Sequence, residues 1–370
     1  MKSSRLYFLD NFRATVIFIV VLMHVSLSYM MYAPSWWYVV DPERSIFFTM
    51  IVALSDVPIM HVMFFIAGYF ALPSLNRHGL NVFLEQKIWR IFLPWLIAIV
   101  FIVPHTAFMI PFTRNVPVDF FTFYTKTFWT EAFQHSVYWF LSTLFWMFVG
   151  LALVWKCVPA LRNSKRVTKK VPLWLFPMFI VVTGTTFFIA LQFYPLDGWF
   201  FTYLISFQQE RIVMQILYFS LGIWAWKSNW FIEGGYSPRK RFWVPLLLVA
   251  MVIYINVKLA FATSQVPLME RQFYLACIFS VYCFAFLMAG LAVFKTWING
   301  NGRFWSSAAR NSYGIYYLHG LIAYWSVYAL IPVGWSIYTK AALIFTVTMA
   351  GCWFLTANVL RKAPGLKRMF

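Results

Sequence analysis

Residues 8–24 have the sequence FLDNFRATVIFIVVLMH, an apolar run that is interrupted by a few polar and ionisable side chains. Together with the apolar residues that follow, it is long enough for a helix that crosses a membrane, which needs about 20 residues. Asp10, Arg13 and His24 are costly in hydrocarbon, so they are expected to face a cavity or other protein. The stretch therefore predicts a membrane helix whose polar side chains line a functional site.

Helix geometry brings these three residues to one face. Arg13 and His24 are 11 residues apart, which is about 20° beyond three full turns and about 16 Å along the axis. Asp10 is three residues before Arg13, close enough to pair with it. We expect Arg13 at the inner interface and His24 near the middle of the bilayer. An alternative stays open, because a membrane histidine is often a packing residue and an inner arginine is often a topology signal.

The residue types suggest a division of labour. Arginine binds phosphate through several donors. Histidine takes a proton from a hydroxyl near neutral pH, or attacks an acyl group itself. A phosphate-bearing donor from the cytoplasm could therefore bind at Arg13 and carry its reactive end to His24, while Asp10 orients the arginine.

The composition extends the membrane prediction to the whole chain. Of its 370 residues, 62% are hydrophobic and only 11% are charged, whereas soluble domains have about half and about a quarter. We predict an all-α, polytopic membrane protein that forms one domain over residues 1–370. The predicted spans are 14–31, 46–72, 88–110, 136–156, 171–193, 200–226, 242–262, 272–294, 312–332 and 339–360. The sixth is interrupted at residues 208–211, so its outer end is expected to be irregular.

The basic residues predict the orientation. With ten spans and cytoplasmic termini, 23 of the 30 Lys and Arg residues fall on the inner side, including the run KRVTKK at 165–170. Such a bias is typical of cytoplasmic loops in the cell membrane, with some attraction to anionic membrane lipids. It accounts for the net charge of +19 without a nucleic-acid partner. The four cysteines lack metal-ligand spacing, so we expect no metal.

Several further residues are candidates for binding an acceptor on the outer side. Glu210 and Arg211 interrupt the sixth span, where a charged pair is either functional or simply self-paired. His135 begins the fourth span, beside the long aromatic loop 111–135, and could meet the acceptor or cap the helix. His319 lies within the ninth span, where a structural hydrogen bond is the competing interpretation. Asp56, in the second span, could orient a basic partner.

Five motifs resemble one known family. Arg5, Leu9-Asp10, Arg13 and His24 match its opening pattern, in which a His follows an Arg by eleven residues. The other matches, in order, are MFFIAGYF (63–70), KIWRIFLPW (87–95), HSVYWFLSTLF (135–145) and NSYGIYYLHG (311–320). The chain resembles the membrane acyltransferase 3 family. Its motif sequences are most similar to those of the branch that includes periplasmic-glucan succinyltransferases.

The resemblance implies an O-acyltransferase whose donor is cytoplasmic acyl-coenzyme A and whose acceptor is a hydroxyl of an extracytoplasmic glycan or glycolipid. It implies that His24 is the general base or a transient acyl carrier, and that Arg13, Lys87 and Arg90 contact the donor. Lys87 departs from the family's paired arginines and loses their bidentate geometry. Trp139 belongs to the third of the four later motifs and is assigned to the acceptor.

The chosen prediction is transfer of an acetyl or succinyl group. The alternative is an exporter of polysaccharide intermediates, because some chains near this family are proposed to be exporters. The two differ in their dependence on His24 and on coenzyme A.

Overall fold

The computed structural model describes residues 5–162, 164, 166–168 and 171–370. Lys2, Lys165, Lys169 and Lys170, which contribute to the predicted inner charge, lie outside the described residues. Within this part of the chain, helices dominate and the only strands form one antiparallel hairpin.

The α-helices are α1 (Tyr7–Leu27), α2 (Ile46–Lys87), α3 (Leu93–Ile97), α4 (Val103–Thr113), α5 (Phe120–Thr122), α6 (Phe128–Thr130), α7 (Trp139–Cys157), α8 (Pro159–Arg162), α9 (Leu175–Phe193), α10 (Ile212–Lys227), α11 (Lys240–Thr263), α12 (Leu268–Trp297), α13 (Arg303–Leu330) and α14 (Ile337–Leu355). The strands are β1 (Trp199–Phe201) and β2 (Ser206–Gln208). The π-helical turns are Ile88–Phe92, Ala98–Ile102, Phe123–Thr127 and Thr356–Leu360, and the 3-10 turns are Ser136–Tyr138 and Leu366–Arg368.

The all-α fold class is confirmed, but the predicted count of ten spans is not. Seven helical segments of the described residues are long and apolar enough to cross a membrane. They are Tyr7–Leu27, Ile46–Thr113, Ser136–Cys157, Leu175–Phe193, Lys240–Phe261, Leu268–Trp297 and Ile337–Leu360. The predicted ninth span, 312–332, overlaps α13, which is not among these seven segments.

Two of the predicted spans, 46–72 and 88–110, lie in the single helical run Ile46–Thr113. A straight helix of 68 residues would be about 100 Å long, over three times the hydrocarbon thickness of about 30 Å. The run changes direction at Gly79, whose φ of 76° and ψ of 172° are not helical. Only glycine adopts this conformation without steric cost, so the bend is encoded at this residue.

The predicted sixth span, 200–226, is not one helix. Residues 199–208 form the hairpin of β1 and β2, and the apolar helix α10 begins only at Ile212. The aromatic run of β1 suits a strand, and Asp197 precedes it with a positive φ of 61°. The charged residues 210 and 211 then separate the hairpin from α10, so the expected irregular outer end is present.

Helices α2 and α10 pack with their backbones in contact. A Cβ on Gly68 would overlap the carbonyl oxygen of Phe219, and one on Gly222 would overlap that of Phe65. Small residues at such crossings are typical of membrane helices, where close van der Waals packing drives association. This contact holds Arg211, at the start of α10, beside α2.

Helix α1 begins seven residues earlier than predicted and ends at Leu27 instead of residue 31. The polar groups of its first turns are accommodated because each has a partner. Asn11 is buried and donates through Nδ2 to the carbonyl oxygens of Ile298 (2.7 Å) and Gly300 (3.0 Å). His24 consequently lies in the last turn of α1 rather than at its middle.

Candidate active site

The N-terminal end of the polar face on α1 is an ion-paired triad. Asp10 Oδ2 lies 2.8 Å from Arg5 Nε, and Asp10 Oδ1 lies 3.3 Å from Arg13 Nη2. The Arg13 side chain keeps 36% of its exposure, against 15% for Asp10. The expected pairing of Asp10 with Arg13 is therefore present, and the guanidinium retains donors for a ligand.

His24 lies at the other end of this face. Its Nδ1 lies 2.8 Å from the carbonyl oxygen of Val20, one turn earlier. A carbonyl oxygen only accepts hydrogen bonds, so Nδ1 carries the hydrogen and Nε2 keeps its lone pair. Since α1 is unbroken from Tyr7 to Leu27, the angular relation between Arg13 and His24 follows regular helix geometry. The tautomer is the one that a proton acceptor needs.

His319 of α13 lies against His24. The two ring centroids are 4.9 Å apart, with an interplanar angle of 68°. His319 is fully buried and its Nδ1 donates to the carbonyl oxygen of Tyr316 at 2.6 Å. Its Nε2 has no hydrogen-bond partner among the described residues. A buried polar atom without a partner is costly, so this nitrogen is a candidate for contact with a substrate.

The connection between α1 and α2, residues 28–45, forms a strap over this end of α1. Trp37 lies beside His24, with ring centroids 5.8 Å apart, and donates through Nε1 to Ser28 Oγ at 3.1 Å. Asp41 and Lys340 form a buried ion pair at 3.1 Å between the strap and α14. These contacts cover one side of the His24–His319 pair with aromatic rings and limit the access of water.

A second charged cluster surrounds Arg211, which is only 3% exposed. Its Nη1 lies 2.6 Å from Asp56 Oδ2, its Nη2 lies 2.5 Å from Asp197 Oδ1, and its Nε lies 3.2 Å from Glu210 Oε1. Lys258 adds a weaker contact of 3.8 Å to Asp197. Asp56 belongs to α2, which packs against α1, the helix that carries His24.

The carboxylates of this cluster respond differently to burial. Burial raises the pKa of Glu210 above its ordinary value, since the charge of Arg211 offsets only part of the lost hydration. Burial also opposes ionisation of Asp197, but the charges of Arg211 and Lys258 outweigh it and hold the pKa of Asp197 below its ordinary value. Asp56 and Asp197 keep side-chain exposures of 37% and 47%, so both remain available to a polar ligand.

His135 is fully buried and all its nitrogens have partners. Nε2 donates to the carbonyl oxygen of Thr202 at 2.9 Å, and Nδ1 lies 3.2 Å from Ser142 Oγ and 3.4 Å from Trp95 Nε1. Burial lowers the pKa of His135 to about 4, so the ring is neutral and links the hairpin to α7. Its assignment to the acceptor stays a prediction, as does that of Trp139.

Lys87 and Arg90 do not contact Arg13 in the part of the chain that the structure describes. Lys87 ends α2, and its Nζ lies 4.9 Å and 4.3 Å from the ring centroids of Phe83 and Phe148. Arg90 is exposed and lies in the π-helical turn Ile88–Phe92. This wider turn gives the two side chains an angular spacing that differs from that of a regular α-helix. Their contact with a donor stays a prediction.

Residues 6–357 match the sequence model of the family described as "Acyltransferase domain". The chain belongs to this acyltransferase family. The match covers nearly the whole chain and confirms the resemblance seen in its motifs.

Curated relatives of this acyltransferase family member carry a more specific name. The chain is 27% identical over 176 residues to "Glucans biosynthesis protein C" of Shigella dysenteriae serotype 1 (strain Sd197), and 26% identical to that of Escherichia coli (strain K12). Each match covers 46% of this chain and 44% of the relative. The chain thus spans less than half the length of the curated relatives that it matches. No solved structure matches it.

Several residues of the candidate site have no counterpart in the sequence prediction. Trp37, Asp41 and Lys340 reach the site through long-range contacts of the strap, and no local spacing links residue 41 to residue 340. Asp197 had a weak signal, because it precedes Gly198 in a turn between two apolar segments. The contact between His24 and His319 was also unforeseen, although both residues lie in motifs that the family shares.

Proposed function

We propose that this acyltransferase family member transfers an acetyl or succinyl group from cytoplasmic acyl-coenzyme A to a hydroxyl of an extracytoplasmic glycan or glycolipid. The observation that carries the proposal is the His24 imidazole, with its free Nε2, at the end of a polar helix face that begins at Arg13. Family membership supports acyl transfer, and the names of the glucan-biosynthesis relatives support a glycan as acceptor.

In the general-base route, Nε2 of His24 removes the proton of the acceptor hydroxyl. The acceptor oxygen then forms a bond to the thioester carbonyl carbon, and the carbon–sulfur bond breaks. The proton on His24 passes to the departing thiolate, which leaves as coenzyme A. Proton transfer by a positioned side chain typically contributes about a hundred- to ten-thousandfold to the rate.

In the alternative route, Nε2 attacks the thioester and briefly carries the acyl group. An acyl-imidazole then forms before the acceptor reacts, and the free coenzyme A leaves first. Both routes use the same nitrogen, because Nδ1 is engaged by Val20. Rapid quenching with labelled donor in the absence of acceptor separates them, since only the second route leaves label on the protein.

The other predicted residues have roles on either side of His24. Arg13, oriented by Asp10, contacts the donor, and Lys87 and Arg90 supply further positive charge for its phosphates. The acceptor is bound by residues on the other side of His24 from Arg13. They are Glu210 and Arg211 of the charged cluster, and His319, whose ring packs against that of His24. Much of the rate is supplied by holding donor and acceptor in one geometry.

The test uses purified wild-type protein with acetyl- and succinyl-coenzyme A that carry radiolabel in the acyl group. We expect label from one of these donors to enter a glucan or glycolipid acceptor. The protein should release coenzyme A in equal amount. An exporter of polysaccharide intermediates would move the glycan without consuming either donor. Absence of transfer from both donors to a panel of glycan and glycolipid acceptors would contradict the proposal.

A further inference from the structure

A small polar cavity lies between the start of α1 and the start of α13. Its volume is about 160 Å³. Its lining includes Arg5, Asp10, Asn11, Asn301, Ser306 and Arg310. Pockets for drug-sized ligands measure about 300–1,000 Å³, so this cavity suits a single small group rather than a nucleotide or a sugar chain.

The cavity has an excess of positive charge. Arg5 and Arg310 line it, and Asp10 is its one lining carboxylate. Both oxygens of Asp10 are already engaged, one by Arg5 and the other by Arg13. Arg310 is exposed and forms no ion pair with any carboxylate among the described residues. Its guanidinium is therefore free to bind an anion through several donors.

The surrounding backbone is held in place. Asn11 fixes the loop before α13 by donating to the carbonyl oxygens of Ile298 and Gly300, and Phe8 N donates to Asn299 Oδ1 at 3.2 Å. Ser306 Oγ donates to the carbonyl oxygen of Asn301 at 2.7 Å. These bonds preorganise the cavity walls, so binding requires little ordering of the loop.

We propose that this cavity binds a phosphate group, held by Arg310 and Arg5. The cavity is small, the Arg310 guanidinium in its wall has no ion-pair partner among the described residues, and the Asp10–Arg13 pair lies beside it. These three features favour a compact, doubly charged anion. A phosphate that binds Arg5 weakens the ion pair between Arg5 and Asp10. Asp10 then pairs more strongly with Arg13, and this couples the cavity to the polar face of α1. The phosphate belongs to the acyl-coenzyme A donor, an assignment that rests on the proposed function, or to an anionic lipid headgroup.

The test compares Arg310→Gln with Arg303→Gln, a matched control. Arg303 is an exposed arginine of the same helix and does not line the cavity. Each variant and the wild type are purified in nanodiscs of zwitterionic lipid, and binding of coenzyme A and of dephospho-coenzyme A is measured by calorimetry. In a second arm, retention of phosphatidylglycerol from mixed-lipid nanodiscs is measured by mass spectrometry. The coenzyme A and phosphatidylglycerol measurements are both repeated with Arg5→Gln.

We expect Arg310→Gln to weaken coenzyme A binding at least about tenfold, the loss typical of one charge-assisted hydrogen bond, while Arg303→Gln changes it little. Unchanged dephospho-coenzyme A binding would identify the 3′-phosphate, and an equal loss would identify the pyrophosphate. If neither the wild type nor any variant binds coenzyme A, but Arg310→Gln retains less phosphatidylglycerol than the wild type and Arg303→Gln, the phosphate site is supported and the proposed donor is wrong. If Arg310→Gln and Arg303→Gln behave alike in both arms, the site is overturned, whatever the fate of the donor.

Discussion

His24 and His319 have matching local hydrogen bonds, and in each ring Nε2 is left without a hydrogen-bond partner among the described residues. Each ring donates through Nδ1 to a carbonyl oxygen of its own helix, that of Val20 for His24 and that of Tyr316 for His319. The remaining nitrogens lie in the same small volume, since the ring centroids are 4.9 Å apart. His319 therefore lies where it can bind the acceptor hydroxyl or hold the ring of His24 in position.

This geometry predicts that His319→Gln lowers kcat. The glutamine retains polarity but not the ring that packs against His24, and a loss of about ten- to a hundredfold is expected, at or below the lower end of the contribution of a direct acid–base group. Steady-state kinetics with varied acyl-coenzyme A would show a KM for the donor close to that of wild type. A role in packing alone would instead reduce yield and thermal stability and leave kcat of the folded protein unchanged.

The strap over His24 is held by a buried ion pair and by hydrogen bonds from an arginine. Asp41 and Lys340 are 2% and 5% exposed in their side chains and lie 3.1 Å apart. Arg114, beyond α4, adds hydrogen bonds from Nη2 to the carbonyl oxygens of Ser35 (2.7 Å) and Trp37 (2.9 Å). The strap is thus anchored to two distant elements, and its position beside His24 depends on both.

Lys340→Met is expected to destabilise the protein by about 3–5 kcal/mol, because it leaves the Asp41 carboxylate buried without a partner. Adding Asp41→Asn to this variant removes the uncompensated charge and should restore much of the loss. Thermal unfolding of both variants in the same detergent measures the difference. Equal melting temperatures for the two would show that the ion pair does not hold the strap.

The Arg211 cluster joins α2, the segment before β1 and α11, and it makes the hairpin region sensitive to acid. Asp197 has a pKa below its ordinary value of 3.8. Its contribution to stability is therefore present above about pH 4 and is lost as the pH falls through the lower, folded-state pKa. Glu210, with a raised pKa, has the opposite sign, and its contribution falls as the pH rises through its folded-state value.

For Asp197→Asn, we expect the fall in melting temperature between about pH 5 and pH 3 to be smaller than for wild type, because the group that must be protonated is gone. Thermal unfolding across this pH range provides the measurement. Glu131→Gln is the control, since Glu131 is exposed and forms no ion pair among the described residues. Identical pH profiles for Asp197→Asn and wild type would contradict this account of the cluster.

The charges of the whole molecule divide between its two ends. Among the described residues, Asp10 is the one acidic residue that forms ion pairs with the predicted inner bases. The remaining pairs engage three predicted outer bases, Arg211, Lys258 and Lys340. Among the described residues, most of the predicted inner bases form no ion pair, as expected of residues that contact water and lipid headgroups on a cytoplasmic face.

This division predicts that both termini are cytoplasmic. A green fluorescent protein fused after Phe370 should fluoresce, because it folds in the cytoplasm, whereas alkaline phosphatase fused at the same point should be inactive. Fusions within the loop 111–135 should give the reverse pattern. An active phosphatase at the C-terminus would place that terminus outside the cytoplasm and would overturn the predicted orientation.

The sequence predicted the features that depend on local spacing. The shared face of Arg13 and His24 and the pairing of Asp10 with Arg13 both follow from one regular helix. Residues 199–208 were misassigned because hydropathy does not distinguish an aromatic hairpin from a span. The contacts of His24 with His319 and of Asp41 with Lys340 could not be predicted, since they join helices that are distant in sequence and only tertiary packing brings them together.

The central claim is that Nε2 of His24 performs the transfer chemistry. His61 offers a matched control, because its Nδ1 also donates to the carbonyl oxygen one turn earlier, that of Val57, at 2.7 Å, and its Nε2 is also free. The decisive measurement is the rate of labelled acyl transfer by purified His24→Gln and His61→Gln proteins, with coenzyme A binding measured in parallel. We predict that His24→Gln lowers transfer at least about a hundredfold and still binds coenzyme A, while His61→Gln remains active. A folded His24→Gln protein that transfers at the wild-type rate would contradict the account.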